Sequence, residues 1–122
     1  MNTPTTLFVC RICGQTERDE NGRKHTSPQS AALAEALAAE LAGSGITVTL
    51  TECLSICTKP TAWGLRAEGK HAFAFAPALP EHAADIAATA RTYHALPAGE
   101  KMAKNNMAPA VKGTLISRLP PA

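Results

Sequence analysis

Alternating apolar and polar positions predict four strands. The run at 5–10 is short, apolar and β-branched, which is typical of a buried strand, and 46–51 alternates with a period of two. The runs 61–66 and 71–76 flank the four-residue segment 67–70, which contains a glycine. This arrangement predicts an antiparallel hairpin.

Two segments carry the pattern of amphipathic helices. An alanine-rich stretch over about 28–42 has a leucine at every fourth position, which predicts a helix that begins after Ser27 with a proline in its first turn. The glycines of 43–45 predict its end. A second helix is predicted over about 80–94, with a stripe of mostly small apolar residues. The repeating leucines are Leu33, Leu37 and Leu41.

The order of these elements is β-α-β-β-β-α, which predicts an α/β fold in which the first two strands are joined by a right-handed parallel crossover. With 122 residues, the chain is long enough for one domain with its own hydrophobic core. We expect this domain to span 1–96. Prolines and glycines recur over 97–122, and we expect an irregular C-terminal tail there that packs on the domain or on a partner subunit.

Charge and composition exclude several classes of function. The net charge is +2. The segment from Ala98 onward has four basic residues and one acidic residue, so its net charge is +3 and that of the rest of the chain is −1. With one Trp, one Tyr and three Phe, the chain has no stacking platform typical of nucleic-acid binding. The apolar stretch at 31–42 carries two glutamates and is too short to cross a bilayer. We therefore expect no nucleic acid and no membrane among its partners.

Four cysteines form two short pairs, Cys10 with Cys13 and Cys53 with Cys57. Each pair follows a predicted strand, and parallel neighbouring strands would bring both pairs to one edge of the sheet. The N-terminal sequence lacks the features of a secretory leader, so we expect a cytoplasmic protein whose thiols stay reduced. Four thiolates suit a [2Fe–2S] cluster, and they suit zinc equally well by spacing alone.

The segment from Glu52 to Pro60 follows the second strand with the sequence Glu-Cys-Leu-Ser-Ile-Cys-Thr-Lys-Pro. In this it resembles the thioredoxin-like [2Fe–2S] ferredoxins, although their first cysteine pair is normally spaced more widely and their second often has glycine at the position of Ser55. From 7–13 to 113–120 the chain more closely resembles an uncharacterised bacterial family of small predicted metal-binding proteins of the CobW-associated type.

These resemblances imply a thioredoxin-like fold and a [2Fe–2S] cluster that serves as a one-electron carrier rather than an enzyme. They also imply a redox partner protein, a homodimer, and a role in cobalamin or metal-handling metabolism. Apolar tail segments at 107–111 and 115–119 are suitable material for a dimer interface. The implied cluster ligands are Cys10, Cys13, Cys53 and Cys57.

Two other uses of the cysteines remain open. The same four could form a closed zinc site in a structural module or metal carrier. Alternatively, Cys10 and Cys13 could act as a thiol oxidoreductase, although no helix begins directly after them to lower a thiolate pKa. We expect the histidines to be surface or helix-face residues, and Met102 and Met107 to be packing residues rather than ligands. The histidines are His25, His71, His82 and His94.

Overall fold

The structure is a computed structural model, and it describes residues 4–10, 20, 28–51, 61–76, 78–97, 102 and 106–119. Within these ranges the chain forms five strands and three α-helices, together with one 3₁₀ turn before the second helix. The strands are β1 (Thr5–Cys10), β2 (Ile46–Thr51), β3 (Trp63–Ala67), β4 (Ala72–Phe75) and β5 (Leu115–Leu119). The helices are α1 (Pro28–Glu40), α2 (Ala83–Ala95) and α3 (Pro109–Lys112), and the 3₁₀ turn is Pro80–His82.

The five strands form one mixed sheet in the order β2-β1-β3-β4-β5. β1 and β2 are parallel, and the other three neighbouring pairs are antiparallel. The predicted α/β order is therefore confirmed, including the parallel crossover through α1 and the hairpin of β3 and β4. Gly69 has a φ of 76° in the hairpin turn, a conformation that glycine adopts without strain.

The hydrophobic core lies between α1, α2 and one face of the sheet. The two helices contact each other and the central strands, and the predicted leucine stripe of α1 is buried against this face. Trp63 is 1 % exposed and stacks on Phe75 with 4.2 Å between ring centroids. The edge of the Tyr93 ring meets Phe73, which is 4 % exposed. The large aromatic side chains thus fix α2 on β3 and β4.

The C-terminal segment is more regular than the sequence predicts. Pro109 supplies the first turn of α3 and Gly113 ends that helix, so residues that were expected to break long elements bound a short helix here. The strand that follows, β5, pairs with β4 of the same chain. Met102 and Met107 are 1 % and 6 % exposed in the hydrophobic core, so they pack inside the domain.

Candidate metal centre

The first cysteine pair begins where two parallel strands end side by side. In the register of β1 and β2, Cys10 is paired with Thr51, the last residue of β2. The backbone N–H of Cys10 also donates a hydrogen bond of 2.9 Å to the carbonyl of Ala62, just before β3. Two strand ends and one strand start therefore meet at a single place. We call the residues Cys10, Thr51, Thr61 and Ala62 the cysteine corner.

Cys10 is buried although it does not belong to the core that the helices cover. Side chains alternate along a strand, so Cys10 shares a face with Phe8, whereas Leu7 and Val9 lie in the core on the opposite face. Cys10 is nevertheless 1 % exposed. Its sulfur thus sits at the end of a strand in a place from which water is largely excluded, which suits either a metal ligand or a small apolar residue.

The other three predicted ligands, Cys13, Cys53 and Cys57, lie outside the described residues. Cys53 follows Thr51 by two positions, and Cys57 precedes Thr61 by four. In the part of the chain that the structure describes, no group of three or more His, Cys, Asp or Glu residues is placed to hold a metal ion. Of the four predicted ligands, the structure therefore describes Cys10 alone, together with the ends of β1 and β2.

Thr61 gives the cysteine corner an unusual polar group. It is fully buried, and its backbone N–H donates to the carbonyl of Ala78 at 3.2 Å. Its side-chain hydroxyl is also buried and has no hydrogen-bond partner among the described residues. Buried hydroxyls nearly always have a partner, because leaving one unsatisfied costs free energy. The donor that the structure describes at this corner is the buried thiol of Cys10, and a cysteine thiolate is the ligand type that holds a [2Fe–2S] cluster.

Among the described histidines, His94 lies in α2, His82 ends the 3₁₀ turn before α2, and His71 lies just before β4. The His94 ring shares a hydrogen bond of 2.8 Å between Nδ1 and the Thr5 hydroxyl. Thr5 begins the strand that Cys10 ends, about 16 Å away along the strand. His82 lies before α2, where its Nδ1 accepts from the N–H of Leu79 at 3.3 Å. The predicted candidate His25 lies outside the described residues.

A buried lysine joins the β3–β4 turn to the end of α2. Lys70 is only 4 % exposed, and its ammonium group donates to the carbonyls of Tyr93 and His94 at 3.0 and 2.9 Å. The same nitrogen lies 5.3 Å from the centre of the Tyr93 ring, a distance typical of a cation–π contact. These contacts satisfy carbonyls that a helix C-terminus otherwise leaves without intrahelical partners. We call this arrangement the lysine latch.

Burial perturbs the titration of all three groups around the latch. It lowers the pKa of Lys70 and raises the pKa of Tyr93 to about 12. The pKa of His94 is lowered first by burial and then by the positive charge of Lys70. The latch lies at the opposite end of the sheet from the cysteine corner, so these shifts belong to the fold rather than to the candidate metal centre. Sequence reasoning missed the latch because a lysine next to Glu68 and Gly69 in a turn has the pattern of a solvated residue.

Known structures establish the class of fold. The chain is similar to a thioredoxin-like [2Fe–2S] ferredoxin from Aquifex aeolicus, with a TM-score of 0.55 and 16 % sequence identity over 93 % of this chain and 91 % of that one. The protein therefore has a thioredoxin-like fold. The model of the DUF1636 family, described as proteins of unknown function, matches residues 7–121, and the chain belongs to that family. No curated protein is significantly similar to it. None of the described helices is long and apolar enough to span a membrane.

Proposed function

We propose that this protein binds a [2Fe–2S] cluster through Cys10, Cys13, Cys53 and Cys57 and carries single electrons in the cytoplasm. The observation that carries the proposal is the parallel register of β1 and β2, in which Cys10 lies beside Thr51. Because of this pairing, the chain segments that contain both cysteine pairs begin at the same edge of the sheet. The Aquifex protein that shares the fold is itself a [2Fe–2S] ferredoxin.

Covalent geometry supports the convergence of the four sulfurs. An extended chain spans at most about 3.6 Å per residue. The chain between Thr51 and Cys53 therefore spans at most about 7 Å, and the chain between Cys10 and Cys13 at most about 11 Å. The chain between Cys57 and Thr61 spans at most about 14 Å. These lengths allow all four thiolates to reach the cysteine corner. A [2Fe–2S] cluster needs four such ligands, two for each iron in the simplest case.

The chain's own residues would hold and shield the cluster, which supplies the one-electron redox chemistry when it is bound. Cys10 would be a deeply buried ligand, since the end of β1 is buried and tied to Ala62 by a backbone hydrogen bond. Ligation by four cysteines without histidine favours a low reduction potential. As a carrier of single electrons, the protein would have no enzymatic activity of its own.

The proposal includes a redox partner protein and a homodimer. Ile116 and Leu119 on the edge strand β5 are 43 % and 60 % exposed, and they supply apolar surface for contact with another subunit. A role in cobalamin or metal-handling metabolism stays a prediction, because the DUF1636 family description assigns no pathway.

Anaerobic purification followed by iron and sulfide analysis and visible spectroscopy tests the proposal. We expect two irons and two sulfides per chain and a red-brown colour that dithionite bleaches. Cys57→Ser should remove the colour, whereas Ser55→Ala, in the same segment, should keep it. Ser55→Ala thus controls for disturbance of the segment itself.

Two results would refute the proposal in different ways. A colourless protein with one zinc per chain, which Cys57→Ser loses, would assign the same cysteines to a zinc site. Dithiol activity that survives replacement of Cys53 or Cys57 would assign the chemistry to Cys10 and Cys13 alone.

A further inference from the structure

We infer that the edge strand β2 pairs with β2 of a second copy of this chain, antiparallel about a twofold axis, so that the two sheets become one. The inference rests on the homodimer of the proposed function and names the strand through which its subunits join. β2 and β5 are the two edges of the sheet. Backbone pairing between subunits would use β2, and the apolar side chains of β5 would remain for the redox partner.

The two edges differ in the features that discourage pairing. Edge strands are commonly protected by charged side chains or by β-bulges, which keep other strands away. β5 carries Arg118, and its register with β4 is irregular between Ala74 and Phe75. β2 has the sequence Ile-Thr-Val-Thr-Leu-Thr, without charge or proline, and its register with β1 is regular throughout. Among the described strands, only β1 pairs with it. β2 is therefore the unprotected edge.

The exposure of β2 indicates which side chains a partner would cover. Leu50 lies on the helix-covered face together with its register partner Val9, yet Leu50 is 39 % exposed and Val9 has no exposed surface. Thr47 and Thr49, on the opposite face, are exposed as well. A regular strand of β-branched residues with an exposed leucine is a template for a further strand. Burial of Leu50 requires a neighbour on the outer side of β2.

A second copy of β2 matches these positions. A twofold axis at Val48 or at Thr49 keeps both faces of the joined sheet continuous, because opposite residues of an antiparallel pair lie on the same face. In either register Leu50 lies opposite an apolar residue of the second copy, Ile46 or Val48. Thr47 and Thr49 lie opposite threonines. Apolar pairs and threonine pairs stabilise neighbouring strands, and no like charges meet across this axis.

Helix α1 allows the two copies to approach each other. It contacts both β1 and β2, so a twofold axis beside β2 would bring the two α1 helices together. Strands lie about 4.8 Å apart, so a helix above the gap between β1 and β2 would be about 10 Å from its copy, a normal distance for packed helices. Small side chains permit such an approach. The exposed alanines of α1 are Ala31, Ala32, Ala38 and Ala39.

Charged substitutions at Thr49 test the twofold pairing. In the two registers Thr49 lies directly opposite its own copy, about 5 Å away, or diagonally across from it, about 7–8 Å away. Sedimentation equilibrium of the full chain should give the wild type twice the chain mass of 12.7 kDa. We expect Thr49→Lys and Thr49→Glu each to weaken this dimer roughly tenfold or more, since like charges then meet. An equimolar mixture of the two variants should restore the dimer, because opposite charges meet in it.

Ser117 provides the matched control, since it is an exposed hydroxyl residue in the middle of the other edge strand, β5. Ser117→Lys and Ser117→Glu should both stay dimeric. Hydrogen exchange gives a second readout. The amides of β2 that point away from β1 should be protected in the dimer and should lose that protection on dilution or in Thr49→Lys. Thr49 is exposed, so circular dichroism should show that the fold of each variant is kept.

The results separate this inference from the proposed cluster. A monomeric wild type overturns the inference and the homodimer together, while iron and sulfide analysis still decides about the cluster. A dimer that Ser117→Lys dissociates and Thr49→Lys does not would assign the contact to β5 and overturn the inference alone. Protection of the outer β2 amides that is independent of concentration would also overturn it, since the strand would then be covered within its own chain. A wild type without iron or sulfide that still dimerises through β2 would refute the cluster and support the inference.

Discussion

The lysine latch makes a quantitative prediction about stability. Replacing Lys70 by methionine keeps a flexible side chain of similar length but removes the ammonium group. The carbonyls of Tyr93 and His94 then lose the charged donor that lies 3.0 and 2.9 Å away. Because the site is only 4 % exposed at Lys70, water cannot readily replace that donor. We therefore expect Lys70→Met to destabilise the fold.

The expected loss is about 2 kcal/mol. Hydrogen bonds from a charged donor are worth about 1.5–3 kcal/mol each, so two of them set an upper range of about 3–6 kcal/mol. The cost of burying the ammonium, which is also the reason for the lowered pKa of Lys70, opposes this gain and brings the net value down. For a domain of this size the unfolding entropy is about 0.26 kcal/mol/K, so a loss of about 2 kcal/mol lowers Tm by about 8 °C.

Thermal unfolding of the metal-free chain, followed by circular dichroism, measures this loss. Glu68→Gln is the matched control, because Glu68 lies in the same turn and is exposed. We expect it to change Tm by less than about 2 °C. A Lys70→Met variant whose Tm matches that of Glu68→Gln would refute the reasoning. Below the Tm of both variants, metal content should be unchanged, because the latch and the cysteine corner lie at opposite ends of the sheet.

Three other predictions concern the rest of the fold. The pKa of His94 is lower in the folded chain than its ordinary 6.5. Near pH 6.5 the unfolded state therefore binds more protons than the folded state, and the free energy of unfolding should fall as the pH decreases through about 6.5. His94→Asn should flatten this pH dependence in urea titrations at several pH values. A Cβ added at Gly64 would lie 2.7 Å from the backbone oxygen of Phe73, so Gly64→Ala should cost about 1–3 kcal/mol in urea unfolding, and an unchanged midpoint would contradict the close approach of β3 and β4. Leu37 has no exposed surface, so Leu37→Ala should cost about 2–5 kcal/mol, whereas Leu119→Ala, at a side chain that is 60 % exposed, should cost far less in the same assay.

Much of the fold could be predicted because it depends on local patterns. The leucine repeat of α1 and the alternation in β2 indicate their own secondary structure, and a crossover between parallel strands has one strongly preferred handedness. The turn at Gly69 likewise follows from its sequence. Helix α1 ends two residues earlier than predicted, at Glu40, and α2 is preceded by a 3₁₀ turn. Such boundaries depend on hydrogen bonds at the helix ends, which the apolar pattern does not encode.

The features that sequence reasoning missed depend on contacts between distant residues. β5 exists because β4 offers it an edge, and its own sequence, rich in neighbouring prolines and glycines, is equally typical of an irregular tail. Burial of Lys70 requires the end of α2 to lie above the β3–β4 turn. The assignment of the four cysteines as ligands stays a prediction, since three of them lie outside the described residues. The state of the Thr61 hydroxyl could not be predicted from the sequence, because it depends on how β3 enters the sheet beside β1.

The parallel pairing of β1 with β2 also determines when a metal could be bound during folding. In a chain that binds a cluster through both cysteine pairs, the two halves of the ligand set become neighbours only after α1 has carried the chain back and Thr51 has docked beside Cys10. Cofactor insertion would then be a late event that requires a closed crossover. The bound cofactor would in turn hold the two strand ends together, so that release of iron and separation of β1 from β2 would be linked equilibria.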